Sequence, residues 1–279
     1  MAKLGRYNIL KVVKEVDFGL YLDGGRDGEI LLPTRYVPEG TAPGDRLEVF
    51  VYLDSEDRLI ATTERPLAQA DEFAHLQVVA VGGAGAFLDW GLPKDLLVPY
   101  REQAVKMREG QRHLVFVHED RLTRRIVASA RVERFVDKSF PDLEIGEKVD
   151  LLIGPATELG FKAIVNNRYW GLVFANEVFA PIETGQRTVG YVKQVRDDGK
   201  IDLRLQPLGF AKVEGATSVI LQRLQEAGGY LAVTDKSPAE LISSLFGISK
   251  KTYKQAVGDL YKRRVVLIEP EGIRLATED

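Results

Sequence analysis

The chain has 279 residues, of which 45% are hydrophobic and 28% are charged, and its formal net charge is −3 at pH 7. This length predicts two or more globular domains with buried cores. The near-neutral charge excludes a global field that attracts polyanions, so any basic surface must be local. The sequence contains no cysteine, which excludes disulfides, thiol nucleophiles and thiolate zinc sites.

The histidines and the amino terminus give no sign of a metal site or a membrane anchor. His75, His113 and His118 are the three histidines, and they lack the matched spacing that metal ligands need. We therefore expect no metal and no cofactor. The stretch M-A-K-L-G-R-Y-N-I-L-K lacks the apolar segment of a signal peptide, and no apolar run is long enough to span a bilayer. We expect a cytoplasmic protein without a membrane partner.

Three repeats run through most of the chain. They are marked by residues that recur at offsets of 66 and then 75 positions. The recurring sets are Gly19, Gly85 and Gly160; Gly44, Gly110 and Gly185; and Ile60, Ile126 and Ile201. So many coincidences predict three homologous modules.

Each module shows the pattern of short strands. In E-V-F-V-Y-L, Val49 and Val51 alternate with Phe50 and Tyr52, which is the period of a half-buried strand. Turn clusters such as D-G-G-R-D-G separate the strands. Short strands at this spacing predict a small closed barrel of the OB-fold type. An SH3-like barrel is the alternative.

The stretch D-F-G-L-Y-L-D, residues 17–23, begins with the metal-holding signature of protein kinases. A kinase needs a glycine-rich loop, a strand lysine and a catalytic loop upstream, and residues 1–16 cannot hold them. We instead interpret Phe18 and Tyr21 as surfaces on which nucleobases stack. A bulge at Gly19 is expected to bring both rings to one face. The alternative is that one or both rings fill the barrel.

Cations and carboxylates accompany these aromatic residues. The predicted binding positions are Phe18, Tyr21, Asp54 and Arg58 in module one and Phe87, Asp120 and Arg124 in module two. Module two has Ala84 where module one has Phe18, and it adds Arg121 and Arg125. Module three has Leu159 and Lys162 in place of the aromatic pair, so we expect a structural role for it.

Residues 210–279 change to a helical pattern. A first helix ends at a Gly-Gly pair. Ser237 and Glu240 predict a capping box at the start of a second helix, which ends at Gly247. Ser249 is expected to cap a third helix, and V-V-L-I-E-P-E-G-I-R-L predicts a β-hairpin. These elements predict a winged helix-turn-helix.

The third helix carries most of the basic residues of this region, with one acid, Asp259, between positions 250 and 264. Such a helix can enter a groove, where Lys and Arg contact phosphates. The candidate contacts are Lys250, Lys251, Lys254, Lys262 and Arg263. The alternative is a solvated helix face whose last cations interact with the helix dipole.

The sequence thus predicts a mainly β protein with a C-terminal α+β domain. We expect three tandem barrels at residues 1–66, 67–140 and 141–209, the third being divergent. The winged helix-turn-helix is expected at residues 210–279.

Several motifs resemble known families. F-G-L-Y-L, D-G-E-I-L-L-P-T and P-G-D-R-L-E-V-F-V-Y-L-D-S-E-D-R resemble an S1 RNA-binding domain, which is an OB-fold. The resemblance implies that Phe18, Tyr21, Asp54 and Arg58 contact RNA. The segment F-G-I-S-K-K-T-Y-K-Q-A-V-G-D-L-Y-K-R-R-V, residues 246–265, is similar to the bacterial conserved virulence factor B (CvfB, YitL-like) family. That resemblance implies RNA binding in a regulatory rather than catalytic role.

We therefore expect a non-enzymatic protein that binds single-stranded RNA through S1-like barrels and a basic winged helix and regulates gene expression after transcription. One alternative is a DNA-binding regulator whose winged helix contacts DNA while the barrels bind proteins. Another is an adaptor that binds ribosome or polymerase. A nuclease is not indicated, because the sequence has no evident acidic cluster for two-metal chemistry.

Overall fold

A computed structural model describes residues 1–175, 178, 181–207 and 210–276, and only the backbone of residues 210–214. The chain divides into two compact units, Met1–Leu205 and Gln206–Asp279. No helix in the described part of the chain is long and apolar enough to cross a membrane.

The first barrel of unit one is built from five strands. They are β1 (Arg6–Val16), β2 (Gly19–Asp23), β3 (Glu29–Pro33), β4 (Arg46–Leu53) and β5 (Leu59–Thr62). Their order around the barrel is β1-β2-β3-β5-β4. Only β3 and β5 pair in parallel, and the other neighbours are antiparallel. This is the topology of an OB-fold.

The second and third barrels repeat this order. The second contains β6 (Glu72–Gly82), β7 (Gly85–Asp89), β8 (Leu96–Pro99), β9 (Arg112–Glu119) and β10 (Ile126–Ser129). The third contains β11 (Lys148–Thr157), β12 (Gly160–Val165), β13 (Tyr169–Phe174), β14 (Arg187–Val195) and β15 (Ile201–Arg204). The predicted OB-fold barrels are confirmed, and the SH3-like alternative is wrong.

A glycine at the start of the second strand is required for the same steric reason in all three barrels. Gly19, Gly85 and Gly160 open the second strand with φ angles of 149°, 153° and 145°. A β-carbon at any of them would lie 2.1 Å from a carbonyl oxygen of the third strand. Only glycine therefore allows these two strands to pair at this point.

The bulge of the first hairpin lies in β1, so its predicted place at Gly19 is wrong. The register between β1 and β2 shifts between Val12 and Lys14, and corresponding shifts occur in β6 and β11. Gly19 itself pairs regularly with Val16 and Pro33.

Barrels one and two share part of their core. Phe50 and Tyr52 on β4 point away from the core of their own barrel and pack with Trp90 and its neighbours in barrel two. The ring centroids of Phe50 and Trp90 are 5.7 Å apart in an edge-on arrangement. The backbone N–H of Ala70 donates to the carbonyl oxygen of Gly5 at 2.7 Å. The two barrels are thus joined by apolar packing and by this main-chain hydrogen bond.

A second junction joins barrels two and three. An apolar cluster there contains residues from barrel two, from the connection between the barrels and from barrel three: Phe73, Phe116, Val132, Leu152 and Ile164. The Asn167 side chain accepts from the Phe73 N–H and donates to the Asp71 carbonyl oxygen, both at 2.8 Å.

Unit two has the predicted winged helix-turn-helix elements. They are α1 (Phe210–Glu226), β16 (Tyr230–Leu231), α2 (Ala239–Phe246), α3 (Lys250–Lys262), β17 (Val266–Glu269) and β18 (Gly272–Leu275), with sheet order β16-β18-β17. Tyr253, Ala256 and Leu260 bury one face of α3 in the core of this unit.

Three of the four predicted helix signals in unit two are confirmed. The first helix ends at Glu226, just before Gly228 and Gly229, which have positive φ angles of 73° and 91°. Ser249 Oγ accepts from the Thr252 N–H at 3.2 Å, and Gly247 ends α2 in the left-handed region. The capping box at Ser237 is wrong. The Ser237 hydroxyl accepts from the N–H of Thr234 in the preceding turn, and no side chain caps α2.

Candidate nucleic-acid interface

The two predicted rings of barrel one lie together on its outer surface. Phe18 occupies the turn between β1 and β2 and is 57% exposed, so it is not a core residue. The Phe18 and Tyr21 ring centroids are 6.3 Å apart and their planes are 85° apart. Because Phe18 lies outside the strand, strand alternation does not force it away from Tyr21.

Tyr21 sits in a row of outward residues across three strands. Its strand neighbours Leu20 and Leu22 are buried in the barrel, whereas Tyr21 is half-buried on the outside. It pairs with Leu31 on β3, which pairs with Ile60 on β5. The face over the second and third strands, with the loops beside it, is where OB-folds bind oligonucleotides.

Two cations border the rings. The Lys14 Nζ lies 4.8 Å from the centroid of the Tyr21 ring and 2.6 Å from a carboxylate oxygen of Glu29. Arg58 lies on the β4–β5 loop, and hydrogen bonding to Asp54 raises its pKa, with smaller contributions from the charges of Asp54 and Glu56 and from Tyr21. A cation near an aromatic face suits a stacked base joined to a phosphate.

Asp54 holds the β4–β5 loop in place. Its carboxylate accepts from the N–H groups of Glu56 and Arg58 at 2.8 and 2.9 Å and from Arg58 Nε at 2.9 Å. Partial burial acts to raise the pKa of Asp54, but these hydrogen bonds outweigh it and lower the pKa. From barrel two, Lys94 Nζ donates to the Asp54 carbonyl oxygen at 2.5 Å. Asp54 therefore positions Arg58, which is the exposed member of the pair.

Barrel two presents a ring that the sequence analysis missed. Phe87 is half-buried at the position that matches Tyr21. Tyr100 is 50% exposed, and its hydroxyl donates to the Gly82 carbonyl oxygen at 2.7 Å. A β-carbon on Gly82 would lie 3.4 Å from the Phe87 ring, so both rings border Gly82. Tyr100 thus supplies a second ring near the turn that holds Ala84.

Asp120 and Arg124 do not form the pair seen in barrel one. Asp120 is almost buried, accepts from the N–H groups of Leu122 and Thr123, and pairs with Arg101 at 2.6 Å. The backbone hydrogen bonds lower the pKa of Asp120. Arg124 has a left-handed φ of 59° and lies 2.7 Å from Glu119. The side chains of these two predicted residues therefore have different partners, although the Arg124 N–H donates to the Asp120 carbonyl oxygen at 2.8 Å.

Barrel three carries aromatic and basic side chains in addition to the Lys162 that the sequence analysis names. The Phe174 ring lies 5.8 Å from both Lys193 Nζ and Arg196 Cζ. Lys162 Nζ lies 5.0 Å from the Trp170 ring. Phe174, Leu172 and Trp170 alternate with buried residues and face outward from β13. Trp170 also packs against the apolar cluster between barrels two and three, so Phe174 with Lys193 and Arg196 is the part of this surface that has the chemistry of a stacking site. The structural role expected for the third module stays a prediction.

In unit two, the predicted cations lie along the open face of α3. Lys251, Lys254 and Lys262 line a groove on this face, together with Gln255 and Gly258. Lys254 also pairs with Asp235 at 3.3 Å.

The remaining basic residues of α3 differ in their surroundings. Arg263 pairs with Asp259 at 3.3 Å, one helical turn earlier, and Lys250 is half-buried at the first position of the helix. Within the described residues, neither Lys251 nor Lys262 forms an ion pair. Lys251 and Lys262 are therefore the cations most open to a ligand.

The described residues contain no group of three or more His, Cys, Asp or Glu side chains that could hold a metal ion. The aromatic and basic residues above remain the candidate interface.

Comparisons with known proteins agree with this architecture. An S1 domain model matches residues 4–64, and a CvfB-like winged helix domain model matches residues 218–275. YitL of Bacillus subtilis (strain 168) is 30% identical over 277 residues, which cover 95% of this chain and 91% of YitL. Conserved virulence factor B of Staphylococcus aureus (strain N315) is 26% identical over 239 residues, covering 83% and 80%.

A solved structure, described as a multidomain protein with nucleic acid binding domains from Streptococcus pneumoniae, is 24% identical and covers 98% of both chains with a TM-score of 0.41. The family assignment rests on the identity to YitL over nearly the whole of both chains and on the two domain matches. The chain belongs to the family of YitL and conserved virulence factor B.

Proposed function

We propose that this protein binds single-stranded RNA without catalysing a reaction, and that it regulates gene expression after transcription. The observation that carries the proposal is the exposed Phe18–Tyr21 ring pair, bordered by Lys14 and Arg58, on the ligand-binding face of an OB-fold. Stacking on such rings contributes about 1–3 kcal/mol per base. Neighbouring cations add phosphate contacts that do not depend on sequence.

The geometry of the rings favours a single strand over a duplex. Their planes are 85° apart, so bases that stack on Phe18 and Tyr21 cannot be parallel to each other. A strand that uses both rings must turn sharply between bases, which an unpaired strand does easily. Paired bases are held in a parallel stack inside the duplex and do not offer their faces.

The winged helix supplies a second, electrostatic contact in this proposal. Lys251 and Lys262 are placed to meet phosphates, and the exposed face of α3 has no acid other than Asp259. The regulatory role is proposed from family membership. The same basic face supports the competing proposal, in which unit two binds duplex DNA and the barrels bind proteins.

The test is an equilibrium binding titration of the whole chain with a labelled, unstructured RNA. We expect binding that weakens as salt rises, because phosphate contacts release counterions. Unlabelled RNA should compete better than duplex DNA of the same length. If duplex DNA competes better, the DNA-binding alternative replaces this proposal.

Two variants with matched controls locate the contacts. Phe18→Ala with Tyr21→Ala should weaken RNA binding, whereas Phe140→Ala, which removes another ring that is 63% exposed, should not. Lys251→Glu with Lys262→Glu should weaken binding and lower its salt dependence. The control is Lys236→Glu, an exposed lysine of the same unit outside α3. Equal losses in the variants and their controls would contradict the proposed sites.

A further inference from the structure

A cleft of about 1600 Å³ lies between barrels one and two, apart from the ring pair. Its walls come from the amino-terminal segment and β4–β5 loop of barrel one, from the β9–β10 loop of barrel two, and from Arg134 and Phe135. Neither Phe18, Tyr21 nor Arg58 is among its lining residues. The cleft is larger than the ~300–1,000 Å³ of typical small-molecule sites, so a nucleotide fits with room for a neighbouring group.

The carboxylates that line the cleft already have partners. The pairs are Asp57 with Arg125, Asp71 with Arg6, Glu102 with Arg134, Glu119 with Arg124 and Asp120 with Arg101, and Asp27 accepts from the N–H of Ala2. Arg121 also lines the cleft, and it forms no ion pair within the part of the chain that is described. Arg124 keeps 75% of its side chain exposed beside Glu119. The charge in the cleft that is not neutralised by an ion pair is therefore positive, and a positive charge suits a phosphate ligand.

An aromatic stack forms one wall of the same cleft. The Phe135 ring stacks on Phe116 with centroids 4.4 Å apart and planes 20° apart. The His118 ring centroid is 5.0 Å from that of Phe135. Phe135 is only half-buried and borders the cleft, with Arg134 Cζ 5.9 Å from its ring centroid. Stacking on aromatic side chains is the usual way in which proteins hold an unpaired base.

The His118 ring belongs to this wall, but its unpaired ring nitrogen is closed off from the cleft. Its Nδ1 lies 3.2 Å from the carbonyl oxygen of Glu119. A carbonyl oxygen only accepts, so Nδ1 carries the proton in the neutral ring and Nε2 keeps its lone pair. His118 Nε2 is buried and has no hydrogen-bond partner. Because this nitrogen is buried within the protein, a ligand atom in the cleft does not reach it.

We propose that this cleft binds a nucleoside phosphate, either a free nucleotide or the terminal nucleotide of an RNA strand. The base lies against Phe135, and the phosphate meets Arg121 and Arg124. The proposal adds a second site to the proposed RNA-binding function. It uses none of the residues of the ring pair, so the two can fail independently.

The test is calorimetric titration of the whole chain with AMP and with adenosine. We expect AMP to bind, and adenosine to bind at least tenfold more weakly because it lacks the phosphate. Arg121→Ala with Arg124→Ala should weaken AMP binding at least tenfold and leave adenosine binding unchanged. The control pair, Arg46→Ala with Arg112→Ala, removes two exposed arginines outside the cleft and should not change AMP binding.

Short RNAs with a phosphate or a hydroxyl at either end then distinguish the two sources. Tighter binding of a phosphorylated end, lost in the Arg121/Arg124 variant, assigns the cleft to an RNA end. AMP binding without any preference among ends assigns it to a free nucleotide. The proposal is overturned if neither AMP nor phosphorylated ends bind more tightly than their unphosphorylated forms, or if the control pair loses as much affinity. Titration of a long RNA against the Phe18/Tyr21 variant reports separately on the ring pair.

Discussion

Two phenylalanines of barrel one should respond to alanine substitution in opposite ways. Phe50 is fully buried between barrels one and two, where its ring meets Trp90, Tyr52 and Tyr7. Phe50→Ala should lower the free energy of unfolding by about 3–5 kcal/mol, the range for large-to-small core substitutions. Phe18 is 57% exposed, so less than half of the ~1.5–3 kcal/mol of a fully buried side chain is at stake. Phe18→Ala should therefore cost only about 1 kcal/mol.

Binding should show the reverse order. Phe18→Ala removes a stacking surface and should weaken RNA binding by about 1–3 kcal/mol, or roughly 5- to 150-fold. Urea denaturation gives the first quantity, and titration with labelled RNA gives the second under conditions where both variants are folded. If Phe18→Ala destabilises the protein as much as Phe50→Ala, or leaves RNA affinity unchanged, the assignment of Phe18 as a binding residue is wrong.

Three further predictions follow from individual contacts. Gly160→Ala should destabilise barrel three, since the new β-carbon would lie 2.1 Å from the Val173 carbonyl oxygen; an unchanged urea midpoint would contradict this. Tyr100→Ala should weaken RNA binding with little loss of stability, as its ring is 50% exposed; titration and denaturation together test it. Hydrogen bonds from Ser139 and Arg168 lower the pKa of Asp137 from 3.8 to about 2. Its stabilising effect is therefore complete above the ordinary carboxyl pKa and fades as pH falls from 3.8 towards 2. Asp137→Asn should flatten the pH dependence of the urea midpoint in that window, and an unaltered dependence would refute the role of the hydrogen bonds that Asp137 accepts from Ser139 and Arg168.

The architecture was predictable because it is repeated and local. Gly19, Gly85 and Gly160 recur for a steric reason that applies in each barrel, so the sequence shows the repeat directly. The serine that caps α3 is also a local signal, and it is confirmed. Local sequence patterns do not decide between two structures that fit the same pattern equally well. An extra residue in the first hairpin can be placed in either strand, and the structure places it in β1.

Contacts between barrels explain most of the other differences. The alternation of Val49 and Val51 with Phe50 and Tyr52 predicts one buried face, yet all four residues are buried because barrel two covers the outer face of β4. No pattern within a single module can show that.

The candidate site was predictable in module one, where the predicted aspartate and arginine contact each other. Asp54 and Arg58 form an ion pair, whereas the side chains of Asp120 and Arg124, at the same spacing, have different partners. Arg101 and Glu119 compete for them in barrel two. Tyr100 was missed because it reaches its position from the turn after the third strand, and no spacing rule links it to Phe87.

The most direct test of the central claim is ultraviolet cross-linking of the whole chain to unstructured RNA, followed by mass spectrometry of the tryptic peptides. Cleavage after Lys14 and Arg26 releases residues 15–26, which contain both Phe18 and Tyr21. We expect RNA-derived nucleotides attached to this peptide, and their loss when both rings are replaced by alanine. If cross-links appear only on other peptides and none on residues 15–26, the claim that barrel one binds RNA by base stacking is contradicted.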